Sequence, residues 1–225
     1  MLDFRPGERL LACTFSFVSG FVDSIGFLYL GGVFLSFMSG NTTRSATALV
    51  EGNWSLATLA GSCIILFLAG VVLGAITNRW ATRRWDVFRA REAVLFAVAL
   101  IFLLTSILTA VGLDDIAILT LSVGIGATNS IFERKGEVAI PLTYMTGTLV
   151  KMGQRFADTF FGGSHVQWVY HFVLWAALSV GAILGALTFH RLGMHAVIII
   201  TGVVIAAALI NQIVRNRRRK AGLPL

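Results

Sequence analysis

The sequence predicts an all-α membrane protein of about six transmembrane helices plus two broken or re-entrant segments, arranged as an inverted repeat. Three observations carry this expectation: the scarcity of charge, the placement of the arginines, and the recurrence of short motifs at a nearly constant offset.

Charge comes first. The 225 residues are 56% hydrophobic and 13% charged, and the mean hydropathy is +0.82. A soluble domain carries about 25% charged residues. Residues 56–76, 93–113 and 196–210 contain no charge at all. Runs of this kind approach the roughly 20 residues that a helix needs to cross a bilayer. Clear period-2 alternation is missing, which favours helices over an outer-membrane barrel. The net charge of +7 would suggest nucleic acid in a soluble protein. Here the bases cluster at the ends of apolar segments, so they set orientation instead. The expected partners are the lipid bilayer and an unidentified small solute, with no nucleic acid and with a homodimer left open. Cys13 and Cys63 lie inside apolar stretches and read as packing residues. The start, MLDFRPGERLLACTFSF, lacks a small-residue cleavage site and reads as a retained first helix.

Eight segments follow in order: A (9–30), B (33–50), C (54–78), D (92–113), E (116–133), F (138–157), G (166–190) and H (194–214). All belong to one integral membrane domain, 1–225, with repeat halves 9–113 and 114–214 and a basic cytoplasmic tail, 215–225. B and F differ from the rest. In B the mainly apolar part before Ser39 is only Val33 to Met38, and then Gly40, Asn41, Thr42, Thr43 and Arg44 follow. F carries Pro141 early and Gly147 at its middle, with Lys151, Gln154 and Arg155 soon after.

Loop charges decide the topology. The C–D loop, NRWATRRWDVFRAR, and the tail, RNRRRKAG, each hold five bases, whereas the D–E loop holds Asp114 and Asp115. Lys and Arg mark cytoplasmic loops. Eight crossings would put the two basic stretches on opposite faces. If B and F do not carry the chain across, six crossings remain. Both termini, the C–D loop and the E–F link with Arg134 and Lys135 then become cytoplasmic. Only Arg191 falls on the wrong side.

The halves also resemble each other. Ser16, Gly20, Asp23 and Ser24 match Ser122, Gly126, Asn129 and Ser130 at an offset of 106. Met38, Gly40 and Arg44 match Met145, Gly147 and Lys151 at 107; Gly70 and Gly74 match Gly181 and Gly185 at 111. With six crossings the halves run oppositely, a plan in which discontinuous helices meet near the midplane and bind solute. The candidate pathway residues are Asp23, Ser39, Gly40, Asn41, Thr42, Arg44, Asn129, Thr146, Gly147, Thr148 and Lys151. Asp23 reads either as a proton- or cation-coupling group or as a polar lock on segment B, because an intramembrane acid is costly and faces the interior. Arg44 and Lys151 read as pathway cations or as side chains snorkelling to headgroups. The hydroxyl, amide and glycine residues read as a lining or as close packing. Gly70, Gly74, Gly181 and Gly185 fit helix packing, holding C against G or supporting a dimer. His165, His171, His190 and His195 lack a ligand spacing, and no nucleotide, hydrolase or zinc motif appears. No metal, cofactor or enzymatic activity is therefore expected.

The stretches GFVDSIGFLYLGGVFLSFMSGNTTR and, later, NSIF…PLTYMTGTLVK resemble the YoaK family of bacterial multi-pass membrane proteins, a family of unknown function. The resemblance covers residues 10–214 and implies a bacterial inner-membrane location. It implies no substrate and no catalytic residue. A small-solute transporter or channel is the leading functional expectation, and a membrane scaffold or regulator without transport is the alternative.

Overall fold

The computed structural model describes residues 5–85, 87–134 and 137–221. These form eight α-helices: α1 (Pro6–Tyr29), α2 (Met38–Val50), α3 (Trp54–Arg84), α4 (Val87–Ala110), α5 (Asp114–Thr128), α6 (Met145–Asp158), α7 (Gln167–Leu192) and α8 (Ala196–Lys220). A small antiparallel ladder pairs β1 (Glu133–Arg134) with β2 (Glu137–Val138). Lys135, expected in the E–F link, lies outside the described residues, as do residues 1–4 and the last four of the tail.

The chain is an all-α membrane protein. Pro6–Tyr29, Trp54–Arg84, Arg89–Ala110 and the run Gln167–Lys220 are long and apolar enough to cross a bilayer. A turn at Gly193 divides that last run into α7 and α8, of 26 and 25 residues. Large aliphatics such as Ile65, Leu68, Leu100, Ile107 and Ile183 face outward, while Ser16, Ser19, Asn41, Ser122, Thr128 and Asn129 are buried. Lipid accepts the first set, and the second is satisfied inside the bundle.

Three expected boundaries are corrected. The arginine-rich C–D stretch is not a loop: α3 continues to Arg84 and α4 begins at Val87. Arg83 and Arg84 fill the last turn of α3, where cations complement the carbonyl end of the helix dipole. The basic tail is likewise helical through Lys220. In B and F the break does not lie in the polar motif. It lies upstream, in residues 30–37 and 129–144, and the motif opens the helix that follows.

Residue pairs give the helix directions. Arg9 meets Tyr170, Ser16 donates to the Leu174 carbonyl, and Gly185 packs on Phe21. Hence α1 and α7 run parallel. Ser122 donates to the Cys63 carbonyl and Asn78 to the Ser130 carbonyl, so α3 and α5 also run parallel. By contrast, α4 and α8 are antiparallel. Ser106 donates to Thr201 at 2.7 Å, Thr201 donates to the Phe102 carbonyl at 3.1 Å, and Glu92 pairs with Arg215 at 3.0 Å. Ion pairs Glu8–Arg91 and Arg79–Glu133 join the same end of the bundle. At the other end the Tyr29 hydroxyl donates to Asp115 at 2.7 Å. Each short helix, α2 and α6, therefore returns the chain to the end at which it arrived.

The glycines explain the parallel pairs, and they correct one expectation: α3 does not pack on α7. A Cβ at Gly70 or Gly126 would meet the Val123 or Phe67 carbonyl across the α3–α5 crossing. At Gly20 or Gly181 it would meet the Leu178 or Phe17 carbonyl across α1–α7. Gly74 and Gly185 extend the same two contacts, toward Ala127 and Phe21. Small residues let backbones approach this closely. The Ser106–Thr201 bond makes a smaller contribution. Ser106→Ala should lower detergent-phase stability by only about 0.5–1 kcal/mol, read as a thermal shift, because Thr201 keeps its bond to Phe102.

Candidate functional site

The first break follows from local chemistry. Gly31 (φ +66°) and Gly32 (φ +99°) end α1 in left-handed conformations that glycine adopts without steric cost. The chain then runs without regular secondary structure, and its amides need partners because backbone at membrane depth has to be satisfied within the protein. Asp23, one to two turns back on α1, supplies them. Its Oδ1 accepts from Leu35 N (2.8 Å) and Ser36 N (2.6 Å), and its Oδ2 accepts from the Ser36 hydroxyl. Asn41 clamps the same segment from α2. Its amide accepts from Phe34 N at 2.9 Å and donates to the Phe34 carbonyl at 2.7 Å. Arg44 donates to the Gly31 carbonyl at 2.8 Å and lies over Gly32, which closes the carbonyl end of α1.

The second break repeats this with weaker groups. Asn129 Oδ1 accepts from the Thr143 hydroxyl at 3.0 Å, and its amide nitrogen donates to the Ile125 and Gly126 carbonyls. Thr148 donates to the Tyr144 carbonyl. Asp23 and Asn129 thus do matching work, as do Ser36 and Thr143.

The remaining predicted residues separate into groups. Ser39, Gly40 and Thr42 stand in the first turns of α2. Thr42 donates back to the Met38 carbonyl, and Gly40 is covered by the Phe37 ring. Gly147 sits inside α6 with open space around it and does not break the helix. Lys151 is exposed one turn on.

An open cavity of about 530 Å³ lies where the two breaks approach. Asp23, Ser24, Ser36, Thr143 and Thr146 supply its polar lining; Phe27, Phe34, Phe37, Leu149 and Leu178 supply apolar walls. A shallower hollow next to it is lined by Phe34, Phe37, Ser39, Gly40, Thr43 and Arg44. The Phe34 and Phe37 rings, edge-to-face at 5.3 Å, belong to both and stand between them. Of the predicted residues, only Asp23 and Thr146 reach the larger cavity. Sequence reasoning missed Ser36, Thr143 and the phenylalanines. One signal was present: Ser36 and Thr143 each stand two residues before the repeated Met38 and Met145.

Two satisfied chain breaks inside parallel, glycine-packed helix pairs define a multi-pass helical membrane protein with a cavity at its discontinuities. Residues 11–210 match the family model described as "Protein of unknown function (DUF1275)", and the chain belongs to that family. This agrees with the YoaK resemblance of its motifs. It is also 32% identical over 183 residues to the UPF0700 transmembrane protein RA0705 of Rhizobium meliloti (strain 1021), covering 81% of this chain and 76% of the relative. No solved structure matches.

Proposed function

We propose that the protein is a transporter or channel for a small solute, with its pathway at the two chain breaks. One observation carries this reading: the cavity is lined jointly by Ser36 and Phe37 of the first break, Thr143 of the second, and Thr146 in the first turn of the helix that follows it. Six helices cross the bacterial inner membrane, with both termini cytoplasmic. The pairing of Glu8 with Arg91 and of Glu92 with Arg215 at one end supports that arrangement, because those ends carry the basic stretches. The halves are inverted repeats, supported by the matched contacts of Ser16 and Ser122 on Leu174 and Cys63. Discontinuous helices in this plan host solute sites. The lining suits a solute with an apolar body and a hydrogen-bond donor that Asp23 or the hydroxyls can accept.

Liposome flux is the test. Purified protein should pass a subset of small solutes, and Asp23→Asn and Thr146→Val should each cut that flux several-fold. Asn keeps an acceptor for the Leu35 and Ser36 amides, so lost flux would report on the carboxylate and not on the fold. Cysteine placed at Thr146 should react with a membrane-impermeant maleimide. A cysteine sealed from both faces in every condition would sink the pathway.

A second reading is a membrane scaffold or regulator. It is favoured by the way Asp23, Asn41 and Asn129 spend their polar groups on backbone. It predicts a stable protein partner and no flux.

A further inference from the structure

A second cavity, of about 540 Å³, opens at the opposite part of the bundle, between the starts of α1 and α4 and the end of α8. Its two halves differ in chemistry. The floor is aliphatic, formed by Leu10, Leu11, Ala206, Ile210 and Val214 among others, while Arg5, Arg91, Arg215 and Arg218 stand around it. Leu10 is 70% exposed and Ile210 is 60% exposed, so the floor continues onto the apolar outer surface of the bundle.

We propose that this hollow holds an anionic phospholipid, with its phosphate among the arginines and an acyl chain along the α1–α8 floor. Charge supports the headgroup end. Four guanidinium groups face two carboxylates, Glu8 on Arg91 at 2.8 Å and Glu92 on Arg215 at 3.0 Å. Among the described residues, guanidinium groups therefore outnumber carboxylates at this opening. The paired side chains are all under 20% exposed, so the acids hold their arginines in place around the opening. Guanidinium forks match phosphate oxygens in geometry as well as charge. The floor supports the other end. A freely soluble anion would leave it uncovered, whereas an amphiphile covers both parts. Basic pockets between membrane helices at the headgroup level fit this kind of ligand. The site is separate from the break cavity, so it stands whether or not the protein transports anything.

Lipid retention tests the proposal. Full-length protein in detergent is mixed with phosphatidylglycerol, phosphatidylcholine of the same chains, or inorganic phosphate. Bound lipid is counted by native mass spectrometry. Phosphatidylglycerol should be retained in preference, and phosphate alone should not compete at matched concentration. Arg218→Gln, a change in the last turn of α8, should weaken phosphatidylglycerol about fivefold and leave phosphatidylcholine unchanged. Ala206→Phe, which fills the exposed floor, should reduce retention whatever the headgroup. Equal retention of the two lipids would overturn the proposal. So would full competition by phosphate, or unchanged binding in both variants.

Discussion

Asp23→Ala should destabilise the protein by about 3–6 kcal/mol, the largest effect expected of any single polar change. Alanine strands two backbone N–H groups, of Leu35 and Ser36, together with the Ser36 hydroxyl. Each unsatisfied buried group costs about 1–3 kcal/mol. Asp23→Asn should cost less than half as much. Its carbonyl still accepts from the amides, and the second half already runs on Asn129. Two measurements check this: thermal unfolding in detergent, and hydrogen exchange at the Leu35 and Ser36 amides. Those amides should exchange quickly in the alanine variant and stay protected in the asparagine variant. An alanine variant with both amides protected and stability intact would remove Asp23 from its role as the support of the first break.

Gly70→Ala and Gly181→Ala should each cost about 3 kcal/mol, although they add a single methyl group. The usual range for overpacking is about 1–3 kcal/mol. These positions belong at its top, because the methyl meets a main-chain carbonyl, of Val123 or Phe17, which cannot rotate away. Relief requires separating two whole helices. The pair combined should approach the sum, since they act on different crossings. Gly202→Ala is the control. Nothing lies within 4 Å of its Cβ position in α8, so alanine there should be neutral or stabilising by up to about 1 kcal/mol from helix propensity. If all three substitutions shift the melting temperature alike, close approach at the glycines is not what holds the pairs together.

Much of this fold was legible in composition and order. Scarce charge and long apolar runs announced membrane helices, and the repeated motifs marked the two places where the chain departs from simple crossing. What misled was the position of each break. Ser39, Asn41, Thr42 and Thr43 look like helix interrupters, because such side chains compete with backbone hydrogen bonds. In the structure they open a helix, and Thr42 and Thr43 bond carbonyls one turn back. Residues 33–35 look helical by hydropathy, yet they form no regular secondary structure. The cause is a carboxylate twelve and thirteen positions earlier, at Asp23, which no local pattern displays. The partners of the glycine pairs were hidden for a similar reason. Spacing shows that Gly181 and Gly185 share one helix face, but it carries no information about which helix meets that face. The cavity walls were illegible too, since Phe34 and Phe37 are indistinguishable in sequence from lipid-facing phenylalanines.

The pairing of α1 with α7 has a consequence for how the chain is made. Helix α1 leaves the ribosome before α2 through α8, but the surface that receives Gly20 is not synthesised until Leu178 and Ala182. At about 5–20 residues per second, that wait lasts on the order of ten seconds or more. During it, α1 sits in the membrane with its small-residue face uncovered. The α3–α5 pair closes earlier, because only α4 separates its two helices in synthesis. Assembly therefore has a natural order, from the middle of the chain outward. A nascent protein stalled after α6 would hold one finished seam and one helix still waiting, the state in which insertion machinery or a membrane protease would meet it.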